Sequence, residues 1–394
     1  MYKVMKGNEV TAYAAMLSSV DVIPAYPITP STLFPEKISE LIANGEMNAT
    51  FIPTESEHSA ISVAIGASAS GSRVMTATAS QGLAYMHEML AIASGMRLPI
   101  VMAIGNRAIS APLNIWNDQQ DSIDERNSGW IQLYAENNQE ILDLTIAAFK
   151  ISENEKVHLP VMICMDAFLL THTMEAINIP DKKEVTDFIG KNTTNRIILD
   201  TEKPATLGSF ASPEYYTEFR HQVTVAMEAA NSVIFDIFSD FKKRFNRNYD
   251  VVEPYRLDDA ELIFVSMGAV SGTIKDAVDV LREQGKKAGL LRLVAFRPFP
   301  SQQIKKYLSM DVKIAVIDRN VTPGYDGSVL YAELRSILYD SDFKPEIIDF
   351  IAGLGGRDMT IDDFIKIYTL AMEMNADSNH IVWEQLKPLG EDVS

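Results

Sequence analysis

The chain has a single cysteine, Cys164, inside the apolar run "LPVMICMDAF". An iron–sulfur cluster takes about four thiolates, so this chain is not expected to hold one, and no internal disulfide can form. A lone thiol among apolar neighbours reads as a small buried hydrophobe. The six histidines show no HExxH or other paired-ligand spacing. His172, in "THT", stands alone and reads as structural. No metal site built from this chain's residues alone is expected. Positive charge is scarce: 35 Lys and Arg against 53 Asp and Glu, for a net charge of -18. Nonspecific nucleic-acid binding needs a basic surface, so nucleic acid is not an expected partner. No apolar run reaches the roughly 18 residues of a membrane span. The start, "MYKVMKGNEV", lacks the apolar core of a signal peptide. A cytoplasmic protein without a membrane partner is the expectation. No GxGxxG or P-loop opens a helix.

What is present is a repeated alternation. "VDVIPAYPIT", "MNATFIP", "RVMTATAS", "LPIVMAIGN" and "LPVMICMD" read as strands, with helix-like segments between them. Near-continuous apolar strands alternating with helices predict a parallel sheet covered on both faces. A loop-rich stretch and a long helical segment, "TEFRHQVTVAMEAANSVIFDIFSDFKKRF", follow. A second alternation starts near Ala260, with strands expected in "ELIFVSMGA", "AGLLRLVAF", "VKIAVID" and "PEIIDFIAG". The expected division is a first α/β domain over 1–245, a second over 255–375 and a tail over 376–394.

In parallel sheets, ligands bind beyond the carboxyl ends of the strands. Four successive predicted strands end in Thr29, in Thr54-Glu55-Ser56-Glu57, in Ser80-Gln81-Gly82 and in Asn106-Arg107. Each has a plainer reading. Thr29 before Pro30 is a possible helix cap, and Thr54 with Glu57 has capping-box spacing. Ser80-Gln81-Gly82 makes a turn and cap. Arg107 after an apolar strand must pair or reach solvent. Glu57, however, opens a helix that is apolar or small on nearly every side, and such a helix is buried. Together the four ends describe a pocket for a small carboxylate beside a cofactor, with Arg107 shaped to grip the carboxylate bidentately. The glycine-rich "GYDGS" lacks the downstream Asn of a thiamine-diphosphate Mg²⁺ motif.

"AYPITPST", "PTESEHSA", "TATASQGL", "GNRAISAPLNIWNDQQDS", "GWIQLYAEN", "THTMEAINIPD", "FRPFP", "VIDRNVTPGYDG" and "IAGLGGRDMT" stand in this order. Over residues 7 to 372 the chain resembles the alpha subunits of the 2-oxoacid:ferredoxin oxidoreductase family, most closely the pyruvate-oxidising type. The resemblance implies a pyrimidine-type thiamine-diphosphate-binding domain followed by a domain like the transketolase C-terminal one. It implies that a beta subunit holds Mg²⁺ and the diphosphate, and that gamma and delta subunits bring [4Fe-4S] clusters. The reaction implied is pyruvate, CoA and oxidised ferredoxin giving acetyl-CoA, CO₂ and reduced ferredoxin.

By the same resemblance, Glu57 hydrogen-bonds the cofactor's aminopyrimidine, near Ser80 and Gln81. Thr29 contacts the substrate and Arg107 binds its carboxylate. Leu113 and Ile115 lie beside the pyruvate methyl. An oxalate-oxidising relative has arginine in place of Thr29, which makes oxalate an unexpected substrate here. A 2-oxoglutarate enzyme needs a further cation; none stands out beyond Arg107, which leaves Arg126 as the residue to check, and a branched-chain 2-oxoacid stays open as substrate because the sequence does not give the pocket's width.

Overall fold

The computed structural model describes residues 1–192, 201–308, 312–375 and 379–387. Packing divides the chain into two units: Met1–Val251 with Val294–Pro300, and Val252–Leu293 with Ser301–Ser394.

The first unit opens with β1 (Tyr2–Lys6), α1 (Gly7–Leu17), β2 (Val22–Ala25), α2 (Leu33–Ala43), β3 (Thr50–Pro53) and α3 (Glu57–Ala69). Next come β4 (Val74–Thr78), α4 (Ser80–Tyr85), α5 (His87–Gly95), β5 (Ile100–Asn106), α6 (Gln120–Asp124) and β6 (Ile131–Tyr134). It continues with α7 (Asn138–Ser152), β7 (Val161–Asp166), β8 (Met174–Asn178), α8 (Lys182–Ile189) and α9 (Tyr216–Phe245).

Every residue of β4, β5 and β7 is buried. That explains their unbroken apolar runs, because helices cover both faces of the sheet. Asn137 caps α7 by accepting from Glu140 N–H, a contact worth about 1 kcal/mol. Thirteen of the fifteen residues of α7 are buried, so packing rather than propensity holds this helix.

The second unit contains β9 (Val252–Tyr255), β10 (Leu262–Met267), α10 (Val270–Glu283) and β11 (Ala288–Leu293). The chain then returns to the first unit with β12 (Ala295–Arg297). Back in the second unit come α11 (Ser301–Lys305), β13 (Lys313–Asp318), α12 (Val329–Leu338), β14 (Glu346–Ile351), α13 (Ile361–Glu373) and β15 (Ile381–Trp383).

The first unit's main sheet has the order β12-β6-β7-β5-β4-β2-β3. All its pairings are parallel except that of β12 with β6. The second sheet runs β15-β14-β13-β10-β11-β9, with only β9 antiparallel. Its core gathers Phe264, Leu281, Leu290, Phe350 and Phe364.

Three local expectations change. The strand expected through "AGLLRLVAF" is two strands, β11 and β12, in different sheets. Its apolar run is continuous because both halves are buried, each in its own core. The expected tail over 376–394 supplies β15, which pairs with β14, while "GEDVS" lies outside the described residues. Finally, α3 is capped by Ser56, whose hydroxyl accepts from Ser59 N–H. Thr54 sits two residues too early and donates instead to the Ser56 carbonyl at 3.0 Å. Among the described residues, no helix is long and apolar enough to cross a membrane.

Candidate active site at the strand ends

The strand order puts the carboxyl ends of β5, β4, β2 and β3 side by side, so the four polar ends face one edge. Cross-links join them. Arg107 Nη1 donates to the Thr29 carbonyl at 2.9 Å. Ser31 Oγ donates to the Thr78 carbonyl at 3.2 Å. Asn8 Nδ2 donates to the Pro30 carbonyl at 2.7 Å. Thr29 does not cap α2: the residue before that helix is Thr32, and Thr29 belongs to the turn ahead of it, where its peptide bond to Pro30 is cis.

Glu57 is the first residue of α3 and is 8% exposed. Its own helix cap is already taken by Ser56, and no described residue hydrogen-bonds its carboxylate. The carboxylate instead lies over Gly82: a Cβ added at Gly82 would stand 2.7 Å from Glu57 Oε1 and 2.5 Å from Thr78 Oγ1. Thr78 Oγ1 is itself buried without a partner among the described residues, as is Gln81 Nε2. Buried polar atoms are nearly always paired, so an unpaired buried hydroxyl and an unpaired buried amide, on residues close to the Glu57 carboxylate in the fold or the sequence, mark a place for a polar ligand.

Ser80 stands two residues past the end of β4 and is fully buried, with a φ of 49°. A left-handed backbone at a non-glycine residue costs about 1–3 kcal/mol and persists only where its surroundings impose it. The Ser80 hydroxyl donates to Gln81 Oε1 at 2.6 Å or to the Ala108 carbonyl at 2.5 Å. Ser80 is not the cap of α4; Ala79 stands before that helix and provides no side-chain cap.

Arg107 is 6% exposed. Its Nε donates to the Asn114 carbonyl at 3.0 Å, and Nη2 has no partner among the described residues. Burial lowers its pKa, opposed by the charge of Asp121. The 107–119 loop folds back on itself, with Ala108 N–H donating to the Trp116 carbonyl at 3.0 Å. Leu113 and Ile115 flank Asn114 in that loop. Leu113 is 77% exposed and Ile115 is half-buried. Arg126 turns back on α6, donating from Nη1 to the Ile123 carbonyl at 3.0 Å.

One buried group went unread in the sequence: Asp121, which accepts from the backbone of both Ser80 and Arg107. "NDQQDSID" offers three aspartates, and no spacing singles out Asp121; Asp118 is also buried, while Asp124 is exposed. Cys164 is buried in β7, where burial pushes its thiol up. His172 is lowered by partial burial and bonds Thr171 Oγ1 at 2.8 Å, a structural contact.

A family profile described as pyruvate flavodoxin/ferredoxin oxidoreductase, thiamine-diphosphate-binding, matches residues 13–239. A second, pyruvate:ferredoxin oxidoreductase core domain II, matches residues 260–364. The chain belongs to the 2-oxoacid:ferredoxin oxidoreductase family. Among similar relatives, pyruvate synthase subunit PorA of Pyrococcus abyssi is 52% identical over 98% of both chains. The PorA subunit of Methanocaldococcus jannaschii is 51% identical over the same shares. Ketoisovalerate oxidoreductase subunit VorA of Pyrococcus abyssi is 45% identical, again over 98% of each.

Among solved structures, the 2-oxoglutarate:ferredoxin oxidoreductase from Magnetococcus marinus superposes with a TM-score of 0.73 at 19% identity. That match covers 94% of this chain and 65% of the other. A split-gene transketolase in an inactive tetramer matches with a TM-score of 0.55 at 11% identity, covering 94% and 99%. These likenesses bear on fold alone. The chain's architecture is thus a thiamine-diphosphate-binding parallel-sheet domain followed by a second α/β domain, in a fold like that of a transketolase. The chain is one subunit of a 2-oxoacid:ferredoxin oxidoreductase.

Proposed function

We propose that this subunit is the alpha subunit of a cytoplasmic pyruvate:ferredoxin oxidoreductase. That complex converts pyruvate and CoA to acetyl-CoA and CO₂ and passes the electrons to ferredoxin. The observation that carries the choice of substrate is the ordering of identities. Pyruvate synthase subunits match at 47–52%, and ketoisovalerate subunits at 42–45%. Arg126, engaged with its own helix end, offers little as the second cation that a dicarboxylate would need.

The residues at the strand ends fit an aminopyrimidine. Glu57 would hold it by accepting a hydrogen bond, with Ser80 and Gln81 alongside, and Gly82 leaves the space. Thiamine diphosphate, when bound, supplies the electron sink for decarboxylation. A partner beta subunit would hold its diphosphate and Mg²⁺. Gamma and delta subunits would hold the [4Fe-4S] clusters, consistent with a chain that has one buried cysteine.

Within this chain, Glu57 keeps a carboxylate where water is scarce and no other partner competes for it. Such a group is suited to holding a proton at the ring it faces. Arg107, anchored by Thr29 and Asn114, presents its unspent Nη2 to the substrate carboxylate. Thr29 positions Arg107 through its carbonyl and lines the same edge. Leu113 and Ile115 offer apolar surface for the methyl group and would disfavour a charged side chain.

The test is dye reduction by the assembled complex with pyruvate, 2-oxoisovalerate or 2-oxoglutarate, each with CoA. Pyruvate is expected to give the highest kcat/KM. A preference for 2-oxoisovalerate overturns the substrate assignment.

A further inference from the structure

Asp121 is a buried titratable group at the strand ends that no step above uses. It is 2% exposed. Its Oδ2 accepts from the backbone N–H of Ser80 at 2.9 Å and of Arg107 at 3.0 Å. Its Oδ1 accepts from Asn106 Nδ2 at 2.7 Å and from Ser122 N–H at 2.8 Å. One carboxylate therefore ties the carboxyl end of β4 to that of β5. It is anchored from below: Asn106 Nδ2 also reaches Ser122 Oγ at 2.6 Å, and Ser122 Oγ meets the buried Tyr134 hydroxyl at 2.8 Å.

Four donors converge on this side chain, and only a carboxylate can accept from all of them. An amide would bring two donors of its own against N–H groups. Buried donors left without an acceptor are costly. The bond to Ser80 N–H also accounts for how a serine is kept at a positive φ.

We propose that Asp121 is a positioning residue that fixes Ser80 and Arg107 relative to each other and thereby sets the affinity for the substrate carboxylate. The inference rests on the reading of Arg107 as the carboxylate-binding group. Asp121 lies behind both residues and acts through their backbones.

The test measures calorimetric binding of oxamate, an unreactive isostere of pyruvate, to the assembled complex, beside pyruvate KM and kcat. Asp121→Asn is expected to weaken oxamate binding and raise pyruvate KM about tenfold, the effect of losing one buried hydrogen bond. Turnover at saturation is expected to change much less. Arg107→Lys, measured in parallel, reports on the underlying reading. Unchanged oxamate affinity in Arg107→Lys removes that reading and the inference with it. Weakened binding in Arg107→Lys beside wild-type affinity in Asp121→Asn overturns the role of Asp121 alone. If Asp121→Asn does not assemble, Asn106→Ala carries the test by removing one donor from Asp121. About threefold weaker oxamate binding is then expected, and unchanged binding overturns the inference.

Discussion

Arg107 Nη1 donates to the backbone carbonyl of Thr29 at 2.9 Å. The two residues follow β5 and β2, which have β4 between them in the sheet. The guanidinium is thus set by backbone oxygens at two points, Thr29 and Asn114, rather than by a neutralising side chain. Its charge remains available to an anion.

A lysine at position 107 cannot reproduce this. One ammonium has no planar fork with which to hold two carbonyls and still meet a carboxylate. Arg107→Lys is expected to raise pyruvate KM by about 10- to 100-fold, equivalent to roughly 1.4–2.8 kcal/mol. Thiamine-diphosphate affinity is expected to stay unchanged. Steady-state kinetics on the assembled complex check it, and an unaltered KM counts against Arg107 as the carboxylate ligand.

The placement of the strand ends at one edge was legible because the sheet is parallel and its strands are buried: each apolar run stops where a polar residue begins. Glu57 and Arg107 stand out against such surroundings. Asp121 did not, because it reaches the site from a short helix in a loop whose other aspartates look alike in sequence. The φ of Ser80 was equally hidden, since serine gives no sign of a positive φ. The choice of Ser56 over Thr54 as the cap of α3 depends on a two-residue difference in where the helix starts. The return of β12 to the first sheet is a long-range pairing that an unbroken apolar run conceals.

Gly82 leaves space that no larger residue can share. A Cβ there would lie 2.5 Å from Thr78 Oγ1, 2.7 Å from Glu57 Oε1 and 2.9 Å from Glu57 Cγ. Gly82→Ala is expected to displace the Glu57 side chain and destabilise the first unit by about 1–3 kcal/mol. Turnover is expected to fall at least about tenfold, beyond what the lost stability explains. Thermal unfolding measured beside turnover separates the two effects. Wild-type turnover would mean that Glu57 has no need of its observed place.

Ile115 is half-buried in the loop that Arg107 anchors. Shortening it is expected to widen the apolar side of the pocket. Ile115→Ala should raise kcat/KM for 2-oxoisovalerate relative to pyruvate about tenfold, within the range that a few methyl groups provide. A ratio of specificity constants that stays constant would place Ile115 away from the substrate.

In the second unit, Asp318 and Asp349 are both fully buried. Burial first, and then the charge of Asp349, pushes Asp318 up to about 7; burial likewise pushes Asp349 up to about 6. Groups raised in this way bind protons more tightly folded than unfolded. Their stabilisation is present below the ordinary carboxylate range and is lost as pH rises toward about 7. Asp318→Asn removes one ionisation, so the Tm of the variant minus that of the wild type is expected to grow from pH 5 to pH 8. Thermal unfolding of the full chain across that range checks it. A difference independent of pH would show that Asp318 does not titrate there.

The most direct measurement concerns Glu57, whose carboxylate lies over Gly82 without a described partner. The wild-type and Glu57→Ala alpha chains are assembled with their partner subunits, and pyruvate- and CoA-dependent dye reduction is compared at saturating thiamine diphosphate. Loss of at least about 100-fold in turnover, with assembly intact, is the expected result for a residue that holds the proton at the cofactor ring. Unchanged turnover would contradict the assignment of this chain as the half of the active site that faces the cofactor.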